Sequence, residues 1–522
     1  MKTRNLFLGL FAFAALCACN KEEQPDVPQV LNEDAYINVS ILADNTYTKA
    51  SDQGFQNGSE AESAVKNIIF AFFGSDGKFL YSVADKDVTW TEDKRDTPAI
   101  ERISNAVVVL KRHSITPTQM VVVLNYGDAV AESLDGDGVG DISNLADMYS
   151  NITTHDYLYS DGVDSYFTMS NSSYWKNGKN AFAAQITSDN IYTMADNPGL
   201  DEDVYRAQQT PVEVYVERIA AKLYVTGNPT GTPKTLELIN GTNIQYYPVI
   251  KNYGFTYTRN DSRLCKNIED LYSEFLTSWP GWNDENNRRS YWAKPYDGAG
   301  LNKLAYDQIT GSVSGYVEYC HENTTSSTTK LIVSASLKKM TGADPDAGDP
   351  DLEVVRVGAS SYYIKDELLA SIAQKFVTAG ILKSDDTDFT SDDLVFTSAV
   401  AGEAYESDIT IKVGVTPKSG NETQISEILE DYANVLYWGS QIDFFTDVEH
   451  FGLAAGTDKG VVRNHYYQLS VSSIAGLGTP FVPGIGGGEI DPEIPESVDH
   501  ELQARINILK WKVVSQDVAL GN

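Results

Sequence analysis

Basic side chains are few in this sequence. Lys and Arg number 40 among 522 residues, against 73 Asp and Glu, and the formal net charge at pH 7 is −33. A surface this acidic repels phosphate backbones, so the composition excludes a nucleic-acid partner. Charged residues still make up only 22% of the chain and hydrophobic residues 42%, which excludes a disordered acidic tail and indicates folded domains.

Histidine is also scarce, with six residues, and their spacing shows no catalytic pattern. No pair has the HExxH spacing of a zinc hydrolase, and no Gly-x-Ser-x-Gly turn presents a nucleophile. We therefore expect no enzyme activity, no catalytic residue, no metal and no cofactor. We expect nearly all of these histidines to be exposed polar residues, including the one at 465, which would face solvent: His113, His155, His321, His450, His465 and His500.

Long hydrophobic runs are absent apart from one at the N-terminus. Residues 6–18 are apolar, follow Lys2 and Arg4, and are too few to span a bilayer, which is typical of a secretory signal. The run ends in Leu16-Cys17-Ala18-Cys19, which resembles a lipobox, where the thiol of the last Cys is acylated. This predicts export through the periplasm and an outer-membrane lipid anchor on Cys19. A plain signal peptide with a stray Cys is the alternative.

Cysteine is limited to four residues. With two of them in the signal region, Cys265 and Cys320 remain, an even number that permits one disulfide in an oxidising compartment. Two separate buried thiols are the alternative, because the sequence does not show whether the two Cα atoms lie close enough for a bridge.

Strand patterns are abundant. Short alternating or Val-rich segments separated by Gly, Asn and Asp recur along the chain. Ile37, Val39 and Ile41 alternate with polar residues and predict a half-buried strand. Residues 211–225 predict one long strand, near whose start we place a domain boundary. Residues 365–379 and 426–436 predict the two longer helices.

The C-terminal region carries an apolar tail behind a linker. Residues 476–499 are rich in Gly, Pro and acidic side chains, which predicts a flexible connection. The apolar residues of the tail switch twice between even-numbered and odd-numbered positions, which suggests strand pieces joined by bulges. A strand on such a linker can fold back onto its own domain or reach a neighbour. Its apolar residues are Ile506, Ile508, Trp511, Val513, Val518 and Leu520.

One basic residue follows the first predicted strand. Lys49 is the only Lys or Arg between Lys21 and Lys66. A trypsin-like protease therefore has a single place to cut in this part of the chain, between Lys49 and Ala50.

Six short segments, taken in their order along the chain, together resemble the fimbrillins of Bacteroidales type V pili. The C-terminal part is most similar to the minor-fimbrium major-subunit branch. Asn20-Lys21-Glu22-Glu23 is also similar to the short tag that sends Bacteroidetes lipoproteins to the cell surface. The six segments are the lipobox, residues 119–125 (QMVVVLN), 216–222 (VERIAAK), 319–324 (YCHENT), 461–467 (VVRNHYY) and 511–514 (WKVV).

This resemblance implies a mainly β chain with two tandem transthyretin-like β-sandwich domains and a few short helices. It also implies delivery as a lipoprotein, removal of the N-terminal strand by cleavage after Lys49, and polymerisation in which the C-terminal strand of another subunit fills the vacated slot. The family's processing site is commonly an Arg, so Lys49 leaves the identity of the protease open.

The expected organisation follows from the resemblance. Residues 1–18 would be the signal peptide and 19–49 the lipid tether with the removable strand. Residues 50–211 and 212–478 would form the two sandwiches, and 479–522 the linker and donor strand. We expect a structural subunit of a surface fimbria whose partners are identical or related subunits. A monomeric surface lipoprotein or tip adhesin that binds a glycan or a host protein is the alternative.

Three other groups of side chains suggest ligands. The run at 135–141 (DGDGVGD) carries carboxylates that calcium favours, but an EF-hand register would place Val139 and Ala146 at ligand positions, so a solvated turn is expected. The acidic loop at 344–351 is likewise expected to be a solvated connection. A third group of aromatics could stack on sugar rings, although capping of the second core is the favoured interpretation: Trp279, Trp282, Tyr291, Trp292 and Tyr296.

Overall fold

Strands dominate the architecture. A computed structural model of the chain describes residues 35–43, 58–85, 102–110, 113–136, 141–150, 153–154, 156–172, 174–176, 179–181, 183–193, 211–266, 300–323, 327–399, 405–450, 460–481, 500–509 and 515–517. The predicted mainly β fold with short helices is confirmed.

The first part of the chain contains short helices and the strands of one large sheet. The helices are α1 (Glu60–Ser63), α2 (Asp128–Ser133) and α3 (Asp147–Ser150). The strands are β1 (Ala35–Ala43), β2 (Ile68–Phe73), β3 (Phe79–Asp85), β4 (Arg102–Leu110), β5 (Gln119–Leu124), β6 (Thr153–Thr154), β7 (Leu158–Ser160), β8 (Ser165–Phe167), β9 (Met169–Asn171), β10 (Tyr174–Lys176), β11 (Lys179–Ala181), β12 (Ala184–Gln185), β13 (Ile191–Thr193) and β14 (Val212–Arg218).

The large sheet curls around the first core. Its strand order is β13-β1-β14-β9-β5-β2-β3, with β4 paired to β1 and β12 to β5. Val39 of β1 and Phe70 of β2 lie in the same cluster of buried side chains, so the two ends of the sheet face each other. Alternate residues of β2 and β5 pack on the opposite face against α2 and its neighbours. Burial on both faces accounts for the unbroken apolar runs of these two strands.

The second part of the chain contains the longer helices and more sheets. The helices are α4 (Lys365–Thr378) and α5 (Glu422–Glu430). The strands are β15 (Ala220–Thr226), β16 (Lys234–Glu237), β17 (Asn243–Thr256), β18 (Thr258–Arg259), β19 (Ser262–Arg263), β20 (Leu301–Asn302), β21 (Tyr316–His321), β22 (Lys330–Lys339), β23 (Val354–Val357), β24 (Ser361–Ile364), β25 (Leu394–Ser398), β26 (Ser407–Ile411), β27 (Leu436–Trp438), β28 (Ile442–Asp447), β29 (Tyr466–Gly476), β30 (His500–Leu509) and β31 (Ser515–Asp517).

Two sheets enclose the second core. One has the order β20-β18-β21-β15-β29-β30-β31 and the other the order β16-β17-β22-β28. Leu223 and Leu469 from the first sheet meet Val333 and Phe444 from the second in a single buried cluster. This pairing of two apolar faces is a β-sandwich, as the family resemblance implied.

The two sandwiches share a four-strand pattern. In the first, β4-β1-β14-β9 are joined by antiparallel, parallel and antiparallel ladders. In the second, β21-β15-β29-β30 show the same three ladders in the same order. In each case the parallel ladder joins the first strand of the sandwich, β1 or β15, to β14 or β29. The C-terminal strand β30 therefore occupies in the second sandwich the place that β9 occupies in the first.

A third core lies between β22 and β28 in the sequence. Helix α4 contributes Leu368, Ile372 and Phe376, which pack with Val355 of β23 and Phe396 of β25 in a separate buried cluster. The sequence analysis predicted the helix but not this unit, which is inserted into the second sandwich.

Several predicted boundaries differ from the structure. The strand predicted over 211–225 is two strands, because the chain breaks at Ile219 and passes from the first large sheet into the second. The prediction of a helix over 365–379 is confirmed by α4. The prediction over 426–436 is wrong, since α5 ends at Glu430 and Leu436 begins a strand.

The predicted linker starts later than expected. The indole Nε1 of Trp438 donates to the carbonyl of Gly478 at 2.9 Å, and the amide of Thr479 donates to the carbonyl of Asp443 at 2.8 Å. The ring of Phe481 stacks on Tyr306 with 3.3 Å between centroids. The first residues after β29 are therefore docked on the second sandwich.

The cysteines do not form the proposed bridge in this structure. Cys265 and Cys320 are free thiols, both buried, and they belong to different clusters, one against α2 and the other in the second core. This arrangement is the alternative that the sequence left open. Burial raises the pKa of Cys265 to about 12 and also raises that of Cys320.

The burial of both thiols predicts slow reaction with thiol reagents. In a chain that begins at Asn20, and so lacks the two signal-region cysteines, we expect little labelling by Ellman's reagent at pH 8. Two thiols should react once the chain is unfolded without reductant, because neither is oxidised. Mass spectrometry of non-reduced peptides supplies the check, and a peptide pair linked through Cys265 and Cys320 would contradict the structure.

A half-buried acid in the second sandwich predicts a pH effect. The hydroxyl of Tyr316 donates to Oε2 of Glu318 at 2.8 Å, and burial raises the pKa of Glu318 from 4.5 to about 7. An acid with a higher pKa in the folded chain destabilises the fold as pH rises from its unfolded value through its folded value. The contribution of Glu318 to stability is therefore highest below pH 4.5 and falls as the pH rises to 7 and above.

The variant Glu318→Gln should remove this effect, since an amide has no charge to bury and keeps an acceptor for Tyr316. We expect its free energy of unfolding to exceed that of the parent at pH 8 by up to about 3 kcal/mol, and to match it at pH 4. Thermal unfolding at the two pH values measures the difference. Glu427→Gln on the exposed side of α5 is the control for loss of a surface charge. Equal stabilities at pH 8 would refute the assignment.

Candidate functional site

The strand β1 is held on both edges. Val39 to Ala43 pair in parallel with Val212 to Val216 of β14, and the whole of β1 pairs antiparallel with β4. Residues 35–37 also pair with β13. The first strand described is therefore an interior strand of its sheet, although it lies near the start of the chain.

The apolar residues of β1 enter the first core. Ile37 and Val39 are fully buried, and Ile41 is 1% exposed. Burial of three such side chains contributes roughly 5–9 kcal/mol, at about 1.5–3 kcal/mol for each. The alternating pattern read from the sequence is confirmed for this face, and Ser40 on the other face is also largely buried. Removal of β1 would open an apolar slot between β4 and β14.

The tail residues are seated on their own chain where the structure describes them. Strand β30 pairs antiparallel with β29, with Ile506 opposite Leu469 and Ile508 opposite Tyr467. Strand β31 folds back on β30 through residues 505–507. The remaining predicted donor residues lie outside the described residues: Trp511, Val513, Val518 and Leu520.

Other predicted site residues also lie outside the described part of the chain. These are Cys19, Lys49 and Ala50, the aromatic group from Trp279 to Tyr296, and four residues of the run at 135–141. Within the described ranges, no group of three or more His, Cys, Asp or Glu side chains could hold a metal ion. No helix in those ranges is long and apolar enough to cross a membrane.

The acidic loop at 344–351 is more ordered than predicted. Asp349 is 2% exposed, and its Oδ1 accepts bonds from the amide and hydroxyl of Thr341. Its Oδ2 accepts a bond from the hydroxyl of Tyr247 at 3.0 Å. The prediction of a solvated connection is wrong for Asp349, which ties the loop to β17.

The prediction of exposed histidines is wrong for three of them. His321, His450 and His465 are each at most 2% exposed. Nδ1 of His450 lies 2.7 Å from the hydroxyl of Tyr467, and the ring centroids of His450 and His465 are 4.7 Å apart. His450 and His465 pack at the start of β29, where an alternating sequence gives no sign of burial on both faces, and His321 of β21 makes an edge contact with the ring of Tyr157.

Charged and polar side chains meet where the two sandwiches join. We call this group the junction. Its first part centres on Glu62 of α1, which receives Nζ of Lys222 at 2.6 Å and the hydroxyl of Tyr319 at 2.5 Å. Nε of Arg218 donates to the backbone carbonyl of Glu62 at 2.7 Å. A short helix of the first part of the chain is thereby bonded to β15 and β21 of the second.

The second part of the junction centres on Arg463, which is fully buried. Its guanidinium pairs with Glu322 at 2.5 Å and donates to the carbonyls of Arg263 and Leu264 at 2.7 and 2.9 Å. Lys266 and Glu217 form a second buried pair beside it, 3.3 Å apart. These contacts fix the loop at 261–266 between β14 and the residues that lead into β29.

Hydrogen bonds join the end of β14, the strand paired with β1, to the turn that leads into β29. Oδ1 of Asn464 accepts bonds from the backbone amide and from Nη1 of Arg218, at 3.4 and 3.2 Å. Asn464 has a φ of +56° and its amide donates to Ala220 at 2.7 Å. It is a turn residue two positions before the start of β29, and Arg218 is the last residue of β14.

The electrostatics of the junction favour the charged forms of its acids. Burial alone would raise the pKa of Glu62, but the bonds from Lys222 and Tyr319 outweigh it and hold the pKa below its ordinary value. Burial would likewise raise the pKa of Glu322, and Arg463 lowers it. Burial lowers the pKa of Lys266, with Glu217 opposing the shift.

The sequence analysis missed the junction. Its signal is charge within apolar surroundings, as in Glu217-Arg218 inside the run 211–225 and Arg463 after two valines. Pairing among such charges depends on how strands from distant parts of the chain meet, which periodicity does not specify.

The C-terminal strands match a known family. Residues 441–517 match the model described as major fimbrial subunit protein type IV, fimbrillin, C-terminal. This range covers β28 to β31 and contains the segment at 461–467 on which the sequence resemblance partly rests. A search of curated proteins found no match.

Solved structures of surface proteins are similar to the chain at low identity. A candidate cell adhesion protein from Parabacteroides distasonis is 13% identical, with 92% of this chain and 98% of that chain covered and a TM-score of 0.40. A fimbrilin from Porphyromonas gingivalis W83 is 10% identical, with 92% and 98% covered and a TM-score of 0.35. The tip fimbrial protein Mfa3 from Porphyromonas gingivalis is 12% identical, with 64% and 98% covered and a TM-score of 0.28.

The resemblance to the fimbrillins that the sequence motifs indicated is confirmed by its C-terminal match. The C-terminal part of the chain, residues 441–517, is therefore similar to the C-terminal region of the fimbrillins.

Proposed function

We propose that this protein is a structural subunit of a surface fimbria and that it polymerises by exchanging strands. The observation that carries the proposal is the position of β1, an interior strand with three buried apolar side chains that is reached within the first 43 residues. A single cut behind it would free the strand and leave the rest of the sandwich covalently intact.

The proposed pathway begins with export as a lipoprotein anchored through Cys19 in the outer membrane. Cleavage after Lys49 would then separate the anchor and β1 from the remaining chain. Lys49 falls between the end of β1 at Ala43 and the start of α1 at Glu60, so the cut lies outside every strand that the structure describes.

The vacated slot would have an apolar floor and two unpaired edges. β14 would lose its partners at residues 212–216, and β4 would lose its ladder over its full length. Unpaired strand edges bind other strands readily, and the pockets of Ile37, Val39 and Ile41 would select apolar residues at alternate positions.

The donor in this proposal is the C-terminal tail of another subunit. Residues Trp511, Val513, Val518 and Leu520 supply apolar side chains, and β31 must leave β30 for them to extend. Ile506 and Ile508 lie in β30, which is paired to its own β29. They would transfer only if that ladder also opened.

Exchange of one strand for another changes the free energy little, because a similar number of side chains and ladder bonds is lost and gained. Ladder bonds contribute about 1 kcal/mol each and ordering a strand costs about 1–2 kcal/mol per residue. A stable polymer therefore depends on slow release of the inserted strand. The uncut chain should remain monomeric, since β1 fills the slot.

A monomeric surface lipoprotein or tip adhesin is the second candidate. The seating of β30 and β31 on their own chain favours it, because a solitary binder has no need to release a tail. Electron microscopy of the purified chain after trypsin treatment separates the two: filaments support the subunit, and monomers the binder.

Replacement of the cleavage residue should block assembly. We expect Lys49→Gln to yield a longer chain that forms no SDS-resistant ladder after protease treatment, because β1 stays in its slot. Lys49→Arg is the matched control and should be cut and assemble as the parent does. Ladders formed by Lys49→Gln would refute activation by cleavage.

Removal of the tail should give a chain that can accept a strand in its β1 slot but cannot donate one. We expect a chain that lacks residues 511–522 to be cut normally but to remain monomeric alone, because its slot opens and no donor is available. Mixed with tagged, cut parent chains, it should cap the growing ladders and shorten them. Filaments made by the truncated chain alone would rule out the tail as donor.

A further inference from the structure

We propose that the junction couples the two sandwiches. When β1 occupies its slot in the first sandwich, the ladder between β29 and β30 in the second sandwich is more stable than when the slot is empty. The inference rests on the proposed function only in taking β1 as the strand that leaves. It concerns a conformational link within one chain and requires no polymer.

The link begins in β14. Residues 212–216 of this strand form the parallel ladder with β1, and the same strand continues directly into Glu217 and Arg218. No loop separates the residues that contact β1 from those that enter the junction. Loss of the β1 ladder therefore removes one side of the support for the strand that positions both charged groups.

The link ends at β29. Arg218 bonds to Asn464, and the carbonyl of His465 accepts the amide of Lys222 at 2.9 Å. Tyr466 is the first residue of β29 and pairs with Leu509, the last residue of β30. The junction thus lies at the end of the β29–β30 ladder that contains Leu509, the residue at which β30 ends.

Small displacements of the junction side chains cost free energy, because the charged groups are buried. The side chains of Arg463, Lys266 and Glu217 are fully buried. A buried charge that loses its partner is strongly destabilising, so the contacts form together or break together. When β1 leaves, we expect Arg218 to loosen from Asn464 and the β29–β30 ladder to open more often at residues 466 and 509.

Hydrogen exchange of the full-length monomer measures this opening. Val39→Asp places a carboxylate in the first core and should expel β1 without any cut. We expect amides of 466–471 and 504–509 to exchange at least about fivefold faster than in the parent, at the lower end of typical coupling between sites. Val163→Asp is the matched control, because Val163 is 88% exposed, and it should leave these rates unchanged.

Hydrogen exchange of the variant Asn464→Gly tests whether the coupling passes through the bonds between Arg218 and Asn464. Glycine adopts the positive φ of this turn without strain, so the variant removes only the side-chain acceptor for Arg218. We expect Val39→Asp to cause no additional acceleration in the Asn464→Gly background. The exchange rates of amides in β17 and β22 report whether the second sandwich is folded. If Val39→Asp unfolds the second sandwich, the milder variant Val39→Ala takes its place in both backgrounds.

Two outcomes would overturn the coupling. One is unchanged exchange at 466–471 and 504–509 when exchange at 39–43 shows that β1 has left. The other is an equal acceleration with and without the Asn464 side chain. Either result would leave the assembly experiments above unaffected, and a chain that shows the coupling but never forms filaments would refute the proposed function alone.

Discussion

The two sandwiches depend on a group of buried charges at the point where one strand passes from the first sheet into the second. Glu217 and Arg218 end β14, and Lys222 lies in β15 three residues after the break at Ile219. Each of them contacts a partner from a distant part of the chain. Desolvation of such groups largely cancels their attraction, so they add little net stability. They specify how the two sandwiches are arranged, because an alternative arrangement would leave buried charges without partners.

This constraint gives β14 a double role. On one side it pairs with β1 and completes the first core, and at its end it supplies two residues of the junction. A strand with both roles cannot be altered on one side without effect on the other. The shared four-strand pattern of the sandwiches brings β29 to the equivalent position in the second unit, next to the C-terminal strand.

Much of the fold could be predicted from local sequence patterns. Alternation identified β1 and its buried face, and periodicity identified α4, because both depend on side chains that repeat along one element. The division of 211–225 into two strands was not predictable in this way, since Ile219 is as apolar as its neighbours and only the change of sheet marks it. The burial of Arg463 was also missed, because its partners Ser262 and Glu322 lie more than a hundred positions away.

The inserted unit around α4 shows a different limit of the sequence patterns. Helix α4 was predicted from periodicity, but its separate core was not, since nothing in the spacing says that Phe376 packs with Phe396 rather than with the sandwich. Insertion between β22 and β28 leaves both strands paired to each other. The second sandwich therefore closes regardless of the length of chain placed between these strands.

The two thiols, each enclosed in a different core, have a consequence for the environments that the protein can tolerate. No covalent bond between side chains ties the described parts together, so an external reductant has nothing to break there. Oxidants meet the converse difficulty, because neither sulfur is accessible. The fold should therefore be indifferent to the redox potential of the medium around the cell.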